Sequence, residues 1–316
     1  MKQLFWIFLT LLVSGILLTS CGDDDEGDIS QELLSIVETA QNTDDLSILV
    51  DALIQTDLVG TLEGSGPFTV FAPTNEAFQN LLNTNPDWNS LSDIDNDLLT
   101  TVLLFHVLGA EVASTDLTDS YVTTAATGPN EEQLTLQIDV TGGVLFNGST
   151  APVTTDVEAT NGVIHIVDEV MLPPNVVDFA INNDNFSSLV AALTRNDLTT
   201  DYVSVLTGEG PFTVFAPTNQ AFQNLLDSNA EWNELGDIPV STLEAVLNYH
   251  VVSGLNVQSD ELTDDQTVAT LGGNLTVDLS NGASIETSSD QNVNISLTDL
   301  QGTNGVVHVV DEVLLP

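Results

Sequence analysis

The sequence predicts an α+β fold built twice in one chain of 316 residues. Three observations carry that expectation. A domain-length segment recurs, so the chain is two copies of one unit. Within each copy, helix-period patterns gather in the first half and alternating, strand-like runs in the second. That segregation favours α+β with an antiparallel sheet over alternating βαβ units. Near the end of each copy an Asn-Gly pair, Asn161-Gly162 or Asn304-Gly305, separates or precedes such runs, a hairpin signal.

The repeat is explicit. Gly66-Pro67-Phe68-Thr69-Val70-Phe71-Ala72-Pro73-Thr74-Asn75 returns as Gly210 through Asn219, and Ala77 through Leu82 as Ala221 through Leu226. Phe105-His106-Val107 answers to Tyr249-His250-Val251, and Asn161 through Val170 to Asn304 through Val313. Pro173-Pro174 disfavours helix and stiffens the junction. The organisation expected is a signal segment over 1–20, an acidic tether over 21–30, one domain over 31–173 and a second over 174–316.

Each element has a local reason. After Lys2, the apolar run from Leu4 to Leu18 has the form of a signal-peptide core and is short for a bilayer span. It ends in Leu18-Thr19-Ser20-Cys21, which resembles a bacterial lipobox. The resemblance implies cleavage before Cys21 and acylation of that residue, and several acyl chains make an anchor stable where one is marginal. The acidic run Asp23 to Asp28 is a polar tether and also resembles the surface-export signal of lipoproteins in the Bacteroidetes group. The expected location is therefore an outer-membrane lipid anchor, displayed at the cell surface or on the periplasmic face.

In the first copy, Leu46, Leu49, Val50, Leu53 and Ile54 space an amphipathic helix over Ser47 to Leu58. Phe68 to Ala72 alternates as a short strand that Pro73 ends. Thr74 is placed to cap the next helix, whose face is Phe78, Leu81 and Leu82. Leu99, Val102, Leu103 and His106 fall at i, i+3, i+4 and i+7, and Leu243, Val246, Leu247 and His250 repeat that register. Leu134 to Val140 and Leu275 to Leu279 read as strands, and Val153–Thr160 pairs with Val163–Val170 across the Asn-Gly turn.

These residues resemble the fasciclin (FAS1) family. Thr69 through Phe78 is similar to its first signature, Asn161 through Asp168 to its second, and Tyr249-His250 to the Tyr-His pair between them. The first copy departs from that pair, with Phe105 in place of Tyr. The resemblance implies two fasciclin-like domains, each a β-sandwich or wedge with helices packed on it. It also implies extracellular adhesion, and it marks Tyr249, His250, Phe105 and His106 as residues for partner contact.

Composition bounds the chemistry. The chain carries 47 Asp and Glu against two Lys and Arg, a formal charge of −45. With no basic patch, nucleic-acid binding lacks its main source of affinity. No Lys lies beyond position 2, which removes a P-loop, a pyridoxal Schiff base and a kinase-type Lys. A single Cys excludes an internal disulfide and a cysteine zinc cluster. No cofactor, metal site or catalytic group is expected. The four His lack ligand spacing and read as structural. Asp93-x-Asp95-x-Asp97 fails as a calcium loop, because Leu98 and Leu104 stand where a turn Gly and a bidentate Glu are needed. Asp168-Glu169 and Asp311-Glu312 read as solvated strand ends, and no Gly-x-Ser-x-Gly elbow exists. Arg195 reads as an exposed ion-pair partner of Asp197.

Two function classes follow. The first is an adhesion or matrix-interaction lipoprotein that binds an extracellular protein or polysaccharide, with the membrane reached through the lipid. The second is an envelope module for glycan or a small ligand, in which Trp88 and Trp232 stack on sugars unless they pack beneath the loop after the Phe78-type helix. The acidic surface repels anionic partners at low salt, so such binding is expected to need salt or calcium bridging.

Overall fold

The computed structural model describes residues 33–280 and 282–316. In the first repeat the chain forms α1 (Ile36–Gln41), α2 (Ser47–Gln55), α3 (Val59–Leu62), β1 (Phe68–Pro73), α4 (Asn75–Asn83), α5 (Asn96–Phe105), β2 (Val107–Leu108), β3 (Ser120–Thr127), β4 (Gln133–Asp139), β5 (Leu145–Phe146), β6 (Pro152–Ala159) and β7 (Gly162–Val167). The second repeats the order as α6 (Asp178–Ile181), α7 (Ser187–Leu193), α8 (Tyr202–Leu206), β8 (Phe212–Pro217), α9 (Asn219–Asp227), α10 (Val240–Tyr249), β9 (Val251–Ser253), β10 (Thr267–Thr270), β11 (Gly273–Asp278), β12 (Ser284–Glu286), β13 (Asn292–Gly302) and β14 (Gly305–Val310).

The fold is α+β, as the segregated patterns imply, but its sheets are mixed. The order β2-β1-β7-β6 sets β1 parallel to β7, from Phe68 opposite Gly162 to Pro73 opposite Val167. β8 pairs with β14 in the same way. The expected antiparallel sheet is corrected on this point. The connection from β1 to β7 is the rest of the domain, long enough for the crossover that a parallel pair requires.

Alternation along β1 divides the core. Val70 and Ala72 point to the helices, packing with Leu49, Phe78, Leu99 and Leu103. Phe71 points to the opposite face, toward Phe105, Leu134, Leu136 and Phe146. The Phe71 and Phe146 rings meet at 4.4 Å. Each domain is thus a wedge with a helical layer on one face of the sheet and strands on the other. In the second repeat Val214 and Ala216 face one cluster and Phe215 the other.

Local signals explain the helix starts. The Thr74 side chain accepts from the Ala77 N–H at 3.1 Å, and Thr218 accepts from Ala221 at 3.3 Å. The helix expected to reach Leu58 stops at Gln55, and Asp57 adopts φ 57°. Asp95 caps α5 through the Asp97 and Leu98 N–H groups, and Asp93 accepts from Asn89 and Ser90. The acidic triplet therefore spends two members on helix starts.

The terminal hairpins form one position away from the expected turn. Ala159 pairs with Gly162, so Thr160-Asn161 is the turn and Gly162 opens β7. Gly162 sits at φ 150°, where a Cβ would lie 1.9 Å from the Phe68 carbonyl oxygen. Glycine is required there by close backbone approach. Asn161 instead works through its side chain. Its Oδ1 accepts from the Ile36 N–H at 3.0 Å, and its Nδ2 donates to Leu62 and Gly64 carbonyls at 2.8 and 2.9 Å. Asn304 binds Val176, Leu206 and Gly208 identically.

The two repeats pack against each other. The side of β4 that carries Thr135 and Gln137 faces β13, and the Thr135 hydroxyl accepts from the Gln301 N–H at 3.0 Å. Tyr121 on β3 lies against the second core, edge-on to Phe179 at 6.4 Å. Its hydroxyl accepts from Asn183 Nδ2 at 2.7 Å. Gly128 approaches Gly302 so closely that a Cβ would lie 2.9 Å from its carbonyl. Beneath this seam Asn256, Gln258 and Gln301 are buried and joined through their amides.

Candidate interaction surface

Tyr249, His250, Phe105 and His106 were expected to meet a partner, and the structure buries all four. Phe105 and Tyr249 are 0% exposed. They end α5 and α10 with their rings turned into the core. The Tyr249 hydroxyl donates to the Asn274 carbonyl at 2.7 Å and accepts from the Ser288 N–H at 3.0 Å. Its extra oxygen relative to Phe105 is consumed inside the second domain. Direct contact with a partner is therefore corrected to a packing role.

The histidines hold backbone. His106 Nδ1–H donates to the Val102 carbonyl at 2.7 Å, and Nε2 accepts from the Met171 N–H at 3.0 Å. His250 does the same with Val246 and Leu314. One partner only accepts and the other only donates, so the ring is neutral with a fixed tautomer. Burial pushes both down to about 4. His165 takes the opposite tautomer: Nε2–H donates to Val112, and Nδ1 accepts from Asp156. His308 repeats this with Val257 and Asp299. Among the described residues no cluster of His, Cys, Asp and Glu is arranged to hold a metal.

The remaining candidates are placed as follows. Cys21 lies outside the described residues. Asp168 accepts from the Ala151 N–H at 2.8 Å, and Asp311 accepts from Asn294. Glu312 accepts from Asn224 Nδ2 at 2.7 Å. The paired acids close hairpins rather than face one another. Arg195 departs from expectation. Its side chain is only 13% exposed, against 53% for Asp197. It donates to the Leu235 and Ile238 carbonyls at 2.8 Å as well as to Asp197. The cation is a bolt between α7 and the loop before α10.

Trp88 and Trp232 are half-buried against the helical cores of their repeats. Around Trp232 the surface is concave. A groove of about 660 Å³ runs between the end of α9 and α10, with Leu225 and Val246 at its base and Ser241, Thr242 and Ala245 along one side. No Asp or Glu side chain lines it, and Leu315 and Pro316 complete the lining. In the first repeat the equivalent side carries Asp97, Leu98 and Thr101, and Leu98 is 43% exposed. Sequence reading marked the indole but missed the small residues that open space beside it. Comparing the two copies at Leu98 and Thr242 would have shown them.

Comparison with known proteins agrees with this architecture. The fasciclin domain family matches residues 44–173 and 184–316. Human periostin is 32% identical over 81% of this chain, which covers 29% of periostin. The pig transforming growth factor-beta-induced protein ig-h3 is 30% identical over 81% of this chain and 35% of its own length. The chain thus spans about a third of these relatives. A Synechocystis protein, sll1483, is 38% identical over 45% of this chain and 74% of its own. The solved FAS1 domain pair from the insect cell adhesion molecule fasciclin I superposes with a TM-score of 0.50 at 17% identity, covering 86% of this chain and 97% of that one. With both repeats matched from strand β1 through the closing hairpin, the chain belongs to the fasciclin domain family.

Proposed function

We propose that this protein is a lipid-anchored adhesion or matrix-interaction protein at the cell surface, acting without catalysis. The observation that carries the reading is the fasciclin family match over both repeats. The description of fasciclin I as a cell adhesion molecule supports it. The chemistry of the interior supports it too: all four histidines are spent on backbone hydrogen bonds inside the fold. The anchor rests on the sequence around Cys21 and on the acidic tether that follows. Partners are an extracellular protein or a polysaccharide, with divalent cations bridging where the partner is anionic.

Labelling growing cells with an alkyne fatty acid tests the anchor. Wild-type chain takes the label and Cys21→Ala does not. Shaving intact cells with a broad-specificity protease tests display. Trypsin is unsuitable, because Lys2 and Arg195 are its only sites. A chain that stays unlabelled and protected would remove the surface-anchor part of the reading.

A further inference from the structure

We infer that the groove beside Trp232 is a binding site for a neutral polysaccharide, present in the second repeat and absent from the first. The inference rests on the adhesion reading and names the partner's chemistry. The groove volume of about 660 Å³ is in the range of ligand sites. Its wall is an indole, a broad apolar face suited to the C–H face of a sugar ring. Beside it stand the polar side chains of Ser241, Thr242 and Asn229, of which Ser241 and Thr242 are exposed. A sugar offers the matching alternation of apolar face and hydroxyl rim.

Charge selects among occupants. The chain carries 47 Asp and Glu, yet none of their side chains is in the groove lining, which Leu315 and Pro316 complete, while the exposed Asp227, Glu231 and Glu234 stand around it. An anionic glycan meets that surrounding field and is repelled. A cationic ligand finds no Asp or Glu side chain in the lining to pair with. A peptide strand finds no sheet edge, because the groove lies between two helices. In the first repeat Leu98 stands at the position of Thr242 and Asp97 at that of Ser241, and the chain runs on past Pro173, the counterpart of Pro316.

The test is calorimetric titration of the full chain with soluble cello-, laminari-, malto-, manno- and xylo-oligosaccharides, at low and high salt. At least one is expected to bind with little salt dependence. Trp232→Ala and Thr242→Leu are each expected to weaken it by about tenfold or more, a loss of about 1.4 kcal/mol, and Trp88→Ala by less than about twofold. Thr242 is exposed, so Thr242→Leu fills the groove without disturbing the core. No binding by any of the five, or binding that survives Thr242→Leu, overturns the inference. Binding of a neutral peptide alone also overturns it. Cells separate this from the wider reading. If deletion of the gene abolishes attachment while the oligosaccharides fail to bind, only the groove assignment falls. If deletion leaves attachment intact, the adhesion reading falls.

Discussion

Asn161 and Asn304 each tie a closing hairpin to a helix start and a loop through three hydrogen bonds. Replacing Asn304 by Ala strands one backbone N–H and two carbonyls, for which about 2–3 kcal/mol is the expected loss. Urea unfolding of Asn304→Ala checks this, and a midpoint equal to wild type would deny the bolt. The Asn-Gly pair was legible as a landmark, but its reason was not. A turn preference is a local property, whereas Gly162 is demanded by Phe68, and Asn161 by Ile36, Leu62 and Gly64, all distant in sequence. His106 and His250 add a pH dependence. Their folded pKa, about 4, lies below that of an unfolded histidine, about 6.5. The unfolded chain therefore binds the extra protons, so stability is complete above pH 6.5 and is lost as pH falls toward 4. The loss is on the order of 3 kcal/mol per histidine. Thermal unfolding followed from pH 7 to 5, in about 0.5 M salt to damp carboxylate repulsion, is expected to show a falling Tm. A flat profile would contradict the buried neutral rings.

Among the elements, α2, α4, α5 and α10 were readable because their apolar periodicity is local, whereas the short α1, α3, α6 and α8 span too few residues to show a period. Strands β1, β4, β6, β7 and β11 were readable from local alternation, whereas β3, rich in Thr and Ala, and the short β2, β5, β9, β10 and β12 were not. Pairing direction was not, since nothing near Phe68 announces Gly162 as its parallel neighbour. The seam between repeats was equally hidden, yet it left a trace between the copies. The positions of Asn256, Gln258 and Gln301 in the second repeat are Glu111, Ala113 and Glu158 in the first, where both acids are exposed. Burying those carboxylates would be costly, whereas amides satisfy one another. Tyr121 is the aromatic anchor of the seam. Wild-type chain is expected to unfold as one calorimetric transition, and Tyr121→Ala to separate it into two. A single unchanged peak in the variant would mean that the repeats are coupled elsewhere.

On the scale of the whole molecule, the acid is spread through both domains and almost nothing balances it. Self-repulsion opposes compactness at low salt, so Tm is expected to rise with NaCl from about 0.02 to about 0.3 M as the Debye length shortens. An unchanged Tm would place the carboxylates too far apart to matter. The same field acts on partners. Attachment to an anionic glycan surface is expected to fall in chelator at low salt, and equal attachment there would contradict cation bridging. The faces that meet at the seam are blunted at the outer ends of the pair. Glu111 and Glu158 stand on the free face of the first repeat, and Gln266 stands where the first repeat has Tyr121.

The most direct measurement compares surface attachment by cells that carry this chain, cells with its gene deleted, and deleted cells that regain it. Adhesion through this protein predicts that attachment drops on deletion and returns on complementation. Deleted cells that attach and aggregate like their parent would contradict it.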